Sequence, residues 1–258
     1  MLDYSITEEN GEKYITMRAT HCFYLNDPSE YKLFVDILTN ALKECAKRKS
    51  ITFYSIIERL AKNIHSFIIS FSTKKDDLSM WRGYGENGYG INLGFDILSL
   101  DQPMMSNESD SNQKLDKSYL EKRDIKKCTY INPENLDTER VKIELKKILN
   151  SNENSDVKLR LLLNNYAPIY KNYKYEVESE VRIVKNCLDP NMIKFRISGN
   201  VCIPYYEVKV PLKFLKRIVV GPCNNMESVI RSLKMLIYNK LGKSIEVLPS
   251  EIPYRDRL

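Results

Sequence analysis

Histidine, tryptophan and glycine are scarce in this chain, with two, one and nine copies in 258 residues. The two histidines, His21 and His65, and the six scattered cysteines form no Cys-x-x-Cys knuckle. Neither a zinc site nor a disulfide framework is therefore expected. No apolar run approaches the roughly 20 residues that a membrane span needs. The polar start, Met1-Leu2-Asp3-Tyr4-Ser5, does not resemble a secretory signal, so a cytoplasmic location without membrane contact is the expectation. No Gly-x-Gly-x-x-Gly follows a strand and no Gly-Lys-Ser/Thr phosphate loop occurs, which excludes the usual dinucleotide folds and phosphate-loop enzymes. Internal repeats and low-complexity tracts are missing too.

What is present fits a soluble globular protein, 43% hydrophobic and 29% charged, long enough to bury a substantial core in one large domain or two small ones. The formal charge of +6 is mild. Lys43 to Lys49 and Lys122 to Lys127 read as solvated faces that leave an acidic partner open. Charge alone does not make a nucleic-acid binder.

Tyr14, Thr16 and Arg18 alternate with Ile15, Met17 and Ala19, which predicts an opening strand. Asp27-Pro28 reads as an N-cap with proline at the first helical position, followed by an amphipathic helix to about Lys47. A second helix is expected over about Thr52 to Asn63. A strand, Phe67 to Ser72, then leads to a short helix capped by Asp76 or Asp77 and reaching Trp81. Four glycines crowd positions 83 to 90 and predict a sharp turn or a close backbone approach before a strand over Tyr89 to Phe95.

Residues 102–117 read as an exposed loop. Helices are expected over Asp137 to Leu149 and Asp156 to Tyr166. Strands follow over Val181 to Asn186, Lys194 to Ser198, Tyr205 to Val210 and Leu215 to Val220. A helix from about Met226 to Leu241, stopped by Gly242, precedes a closing strand over Ile245 to Leu248. This irregular order argues for one α+β domain over residues 1–258, with a mixed, mostly antiparallel sheet and flanking helices.

Two segments carry charge or hydroxyls where a plain scaffold does not need them. Alternation from Glu178 to Arg182 predicts Glu178, Glu180 and Arg182 on one strand face, opposite Val181. Exposed ion pairs contribute only about 0 to 1 kcal/mol, so stability explains such a set poorly. About a hundred residues upstream lies Ser70-Phe71-Ser72-Thr73. Arg18-Ala19-Thr20-His21 with Leu25-Asn26-Asp27-Pro28, and Met80-Trp81-Arg82-Gly83-Tyr84-Gly85, complete the list of notable motifs.

In this order the motifs resemble the bacterial family catalogued as domain of unknown function 2971. Its members share an early Leu-Asn-Asp-Pro, a Phe-Ser strand followed by Met-Trp-x-x-Tyr, and a late Glu-x-Glu-x-Arg; the likeness is expected to run over nearly the whole chain. Val219-Val220-Gly221-Pro222 and Pro253-Tyr254-Arg255 add to it. A looser similarity links the order arginine, serine motif, Glu-x-Glu to the arginine-serine-glutamate class of ADP-ribosyltransferases. That resemblance implies an ADP-ribosyltransferase-like fold and an NAD-consuming transferase. Arg18 would meet the NAD pyrophosphate or ribose, Ser72 would support the nicotinamide-ribose site, Glu180 would be the catalytic glutamate and Glu178 the accessory acid.

Thr20-His21 instead resembles the histidine-tyrosine-glutamate class, where His21 would be the ribose ligand; the subclass stays open. The implied setting is a toxin or an anti-phage defence effector. Its acceptor would be a protein or nucleic acid, and for a toxin the further partner would be a cognate antitoxin.

The chemistry has physical reasons. Cleaving the nicotinamide-ribose bond builds positive charge on the sugar, which a nearby carboxylate stabilises more in the transition state than in the ground state. A guanidinium grips two phosphate oxygens at once. Trp81 and Tyr84, three apart on a helix, are expected to share a face and offer flat surfaces to a ring.

Each residue also has a plain reading: Arg18 paired to an acid across the sheet, Ser72 turning the chain, Trp81 in the core, His21 a satisfied loop residue. The alternative function is a non-catalytic module that binds a nucleotide, nucleic acid or partner protein. Tyr166, Tyr170, Tyr173 and Tyr175, interleaved with Lys171 and Lys174, would then stack bases and meet phosphates, or simply pack on the core.

Overall fold

A computed structural model describes residues 6–45, 50–97, 118–134, 138–150, 155–187, 189–242 and 244–254. In chain order the strands and helices begin with β1 (Ile6–Glu9), β2 (Glu12–His21), α1 (Lys32–Cys45), α2 (Ser50–Lys62), β3 (Ser66–Ser72), α3 (Leu78–Tyr84) and β4 (Ile91–Phe95). The middle holds β5 (Ile125–Lys127), β6 (Thr129–Ile131), α4 (Glu139–Leu149), α5 (Ser155–Tyr166), β7 (Tyr170–Asn172) and β8 (Glu180–Asn186). The last third holds β9 (Lys194–Ser198), β10 (Val201–Pro211), β11 (Leu215–Val220), α6 (Met226–Leu241) and β12 (Glu246–Pro249). The architecture is α+β and mostly antiparallel. No described helix is long and apolar enough to cross a membrane.

The chain forms two compact units, and the division falls inside β2, β3 and β10. One unit comprises Met1–Met17, Ser72–Arg123 and Val208–Leu258. In it β1 pairs with the start of β2 as a hairpin, turned by Asn10 and Gly11 at positive φ. β11 lies between β4, antiparallel, and β12, parallel. Leu212, Leu215, Ile218, Val220 and Val247 form its core with Ile237 of α6. α6 stops where expected, because Gly242 adopts φ 63° and donates its N–H to the Tyr238 carbonyl.

The glycine-rich turn is a close approach of two backbones. A Cβ on Gly221 would lie 2.2 Å from the Gly88 carbonyl oxygen, and Gly88 itself needs φ 96°.

The other unit comprises Arg18–Phe71 and Asp124–Glu207. Its sheet has the order β5-β8-β3-β2-β10-β9, and β6 and β7 form a short parallel pair. The periodic apolar stripe of α1, Leu33, Phe34, Ile37, Leu38, Ala41 and Leu42, is buried against apolar residues of α2, α4 and α5. Ile68 of β3 and Val184 of β8 enter the same core, so helices cover that end of one sheet face.

Several boundaries differ from expectation for identifiable reasons. Asp27 does not cap α1; its carboxylate accepts from the N–H and hydroxyl of Ser29 in a turn, and the helix starts five residues later at Lys32. Asp77, not Asp76, caps α3, because its Oδ1 accepts from the Ser79 and Met80 N–H groups. The loop expected at 102–117, and Lys47 and Asp137 as helix ends, lie outside the described residues.

Candidate functional site

Two long-range pieces of sequence meet at Glu180. The Asp27 turn places Glu30 just before α1, and the parallel pair β6-β7 places Lys171 beside the start of β8. Ser179 adopts φ 47°, so the chain kinks and β8 begins at Glu180. Glu178 belongs to the 3-10 turn Tyr173–Glu178, which corrects the expected alternation from Glu178 to Arg182.

The result is a buried ionic cluster. Arg182, 1% exposed, donates from Nε to Glu180 Oε1 at 2.8 Å and from Nη2 to Oε2 at 2.9 Å. It also reaches Glu30 Oε2 at 2.7 Å and donates to the Pro168 carbonyl at 2.7 Å. Lys171 Nζ lies 2.5 Å from Glu178 Oε2, 2.9 Å from Glu180 Oε2 and 3.5 Å from Glu30 Oε1. The Cys128 thiol donates to Glu180 Oε2 at 3.6 Å, and the Glu180 N–H donates to the Tyr130 hydroxyl at 2.7 Å. Three carboxylates thus face two cations. Burying charge is costly unless partners compensate, and here every buried charge has several.

Protonation follows from that packing. Burial would raise the Glu180 carboxyl, but the hydrogen bonds and charges of Arg182, a hydrogen bond from Ser70 and the charge of Lys171 hold it down at about 2. For Glu30 burial wins over Arg182 and Lys171, and its pKa is raised. Burial pushes the Cys128 thiol up to about 12, so it stays neutral. Burial acts to lower Lys171, yet its bonds to Glu178 and Glu180 raise it overall. Two neighbouring carboxyls displaced in opposite directions are a pattern that catalytic sites use.

Ser70 links the cluster to the surface. It is exposed, and its hydroxyl bonds the buried Glu180. Ser70 and Ile68 share a face of β3 by alternation, and Thr20 pairs directly with Ile68 on β2. Thr20 and Arg18 therefore lie on that face too. Arg18 is exposed and rests over the ring of Tyr205 at 5.0 Å, with no carboxylate partner among the described residues. The plain reading of Arg18 as one half of a cross-strand ion pair is not what the structure has.

His21, one residue on, points to the other face. It is 6% exposed; its Nε2 meets the Ile64 carbonyl at 3.2 Å and its Nδ1 accepts from the Phe23 N–H at 3.3 Å. Burial lowers its pKa, so it is a neutral histidine with both nitrogens in use.

The remaining expected residues belong to the other unit. The Ser72 hydroxyl accepts from the Lys74 N–H at 3.1 Å and turns the chain. Trp81, 4% exposed, donates its indole N–H to Asp76 Oδ1 at 2.6 Å. Asp76 also accepts from the Ser250 hydroxyl at 2.8 Å and the Glu251 N–H at 2.7 Å, so Trp81 anchors the C-terminal segment. Tyr84 is 55% exposed. Trp81 and Tyr84 therefore do not share one face, because α3 turns Trp81 inward and leaves Tyr84 outside.

Of the tyrosine-lysine stretch, Tyr166 stacks on Phe34, Tyr170 is buried and Lys171 belongs to the ionic cluster. These residues pack on the core. Sequence reasoning missed Cys128 and Lys171 as partners of Glu180, and Glu30 as the second carboxylate on Arg182 and Lys171. For Glu30 the available signal was its place three residues after Asp27 in the Leu-Asn-Asp-Pro motif.

The fold and site define an α+β protein with a buried acid-base cluster at the head of a central strand. Residues 80–183 match the family model described as Protein of unknown function (DUF2971). The match takes in the Met80-Trp81 motif and the strand of Glu180 and Arg182, so it supports the resemblance over a shorter stretch than the motifs suggested. No curated protein and no solved structure gives a significant match to the chain.

Proposed function

We propose that the chain is an NAD-dependent ADP-ribosyltransferase acting on a macromolecule, a protein or a nucleic acid. The observation that carries this reading is the succession β8-β3-β2, which brings ionised Glu180, the Ser70 hydroxyl and the unpaired guanidinium of Arg18 to one sheet face.

In the reaction, the bond between nicotinamide and ribose C1′ breaks and nicotinamide leaves with the electron pair. A nucleophile of the acceptor then bonds to C1′ and gives up its proton to the Glu178 carboxylate. Glu180, with its pKa near 2, stays negative at neutral pH and supplies fixed charge rather than a proton. Ser70 is the exposed group through which a sugar hydroxyl joins that charge. Arg18 meets the phosphates. Glu178, held by Lys171, is the accessory acid toward the acceptor.

One observation favours the non-catalytic alternative. Arg182 and Lys171 already occupy both Glu180 oxygens, as suits a scaffold that binds a nucleotide without cleaving it.

Nicotinamide release from NAD separates the two. Release by the native chain that falls at least about 100-fold in Arg18→Gln and Ser70→Ala, with melting curves unchanged, is the expected result. Arg18 rests on Tyr205 and not on the cluster, so Arg18→Gln tests the reading without disturbing Glu180, whereas Ser70→Ala also removes a hydrogen bond to it. No release by folded native protein across protein, RNA and DNA acceptors would leave the binding module as the better reading.

A further inference from the structure

Arg196 of β9 is a second arginine that the proposed function does not use. It pairs across the hairpin with Ile203, is half-buried, and sends Nη2 to the Thr20 hydroxyl at 3.4 Å. Its Nε is buried without any hydrogen-bond partner. No carboxylate pairs with it among the described residues. By contrast Lys194, two residues earlier on the same strand, is neutralised by Glu207 at 2.7 Å.

Both arginines reach toward β10, from the strands on either side of it. Arg18 leans from β2 over Tyr205, and Arg196 reaches from β9 past β10 to Thr20. Thr20 and Arg18 are two residues apart on one face, about 7 Å along the strand. One ligand carrying two adjacent phosphate groups can meet both heads. Guanidinium groups without a counter-charge repel each other, and an anion between them removes the repulsion while accepting from their terminal N–H groups.

We infer that Arg18 and Arg196 form a two-guanidinium site for the diphosphate of a small nucleotide ligand, with Arg196 the residue that makes it selective for two phosphates over one. The site rests on the proposed function for the identity of that ligand as NAD, but not for its chemistry.

Calorimetric titration of the full chain with inorganic pyrophosphate, inorganic phosphate and ADP-ribose tests the site, using native protein, Arg18→Gln, Arg196→Gln and Arg196→Lys. Pyrophosphate should bind at least about 10-fold more tightly than phosphate, and each glutamine variant should weaken pyrophosphate and ADP-ribose about 10-fold or more. Arg196→Lys, which keeps the charge but loses the fork, should fall between. Thermal melts establish that the variants fold.

Equal pyrophosphate affinity in Arg196→Gln and native protein, or no preference for pyrophosphate over phosphate, overturns the inference. So does a single-stranded oligonucleotide that binds through both arginines while pyrophosphate does not. Arginine-dependent pyrophosphate binding without nicotinamide release sustains the site and removes the transferase. Nicotinamide release whose KM is unmoved by Arg196→Gln does the reverse.

Discussion

Along one sheet face the chain treats its arginines in opposite ways. Arg182 on β8 is buried and saturated by two carboxylates and a carbonyl, whereas Arg18 on β2 meets a ring, Arg196 on β9 meets a hydroxyl, and neither has an acid beside it among the described residues. A saturated, buried guanidinium is a structural investment: removing it strands two carboxylates. An unpaired one contributes little to folding and is available to a ligand. The difference sorts residues of the same type, on neighbouring strands, into scaffold and site.

The largest effect that could break this contrast is on stability. Arg182→Leu should cost about 3–5 kcal/mol in urea unfolding, because Glu180 and Glu30 would be left buried without their cation. A cost below about 1 kcal/mol would show that the buried cluster does not depend on Arg182.

Acid should reproduce part of that loss. Glu180 has a folded pKa below its ordinary value, so its contribution is present above about 4.5 and is lost as pH falls toward about 2. Glu30, raised, opposes this in its own range, since its folded state takes up a proton more readily. The native chain should therefore lose stability between about pH 4.5 and 2, by a few kcal/mol at most. The same scan on Glu180→Gln should be flatter; an equally steep one would assign the acid sensitivity elsewhere.

At the other end of the comparison, Arg18→Gln and Arg196→Gln should stay within about 0.5 kcal/mol of the native chain. Their effects should appear only with a ligand present. A large unfolding shift in either would move that arginine from site to scaffold.

The smallest effect concerns Cys128. With its thiol pushed up to about 12 by burial it should alkylate slowly at neutral pH in the native chain, and quickly once urea unfolds it. Equal rates in the folded and unfolded chain would mean that the cluster does not shield the thiol.

Periodic apolar segments were legible in the sequence. β11 and α6 begin and end where alternation and helical spacing put them, because an apolar side of each packs inward. β9 also keeps its expected ends, though its residues are largely exposed and its pairing with β10 defines it. Positions governed by partners far away in the chain were not. Glu178 looks like a strand residue until Ser179 takes a left-handed conformation, which a serine does not advertise. Trp81 and Tyr84 have helical spacing, yet the Asp76 carboxylate, whose own partners include Ser250, draws only Trp81 inward.

The two hydroxyls of the serine motif have different partners, which the sequence does not distinguish. Ser70 bonds Glu180, while Ser72 turns the chain. Glu30 and Lys171 join Glu180 from about 150 and 9 residues away along the chain, distances at which no local pattern speaks.

The contact between the Cys128 sulfur and Glu180 Oε2 also equips the molecule with its own probe. The infrared stretch of an S–H group is isolated from other protein vibrations and shifts with the acceptor it meets. In a chain whose five other free cysteines are replaced, that band should register whether the carboxylate is charged, protonated or drawn away when a nucleotide settles above it.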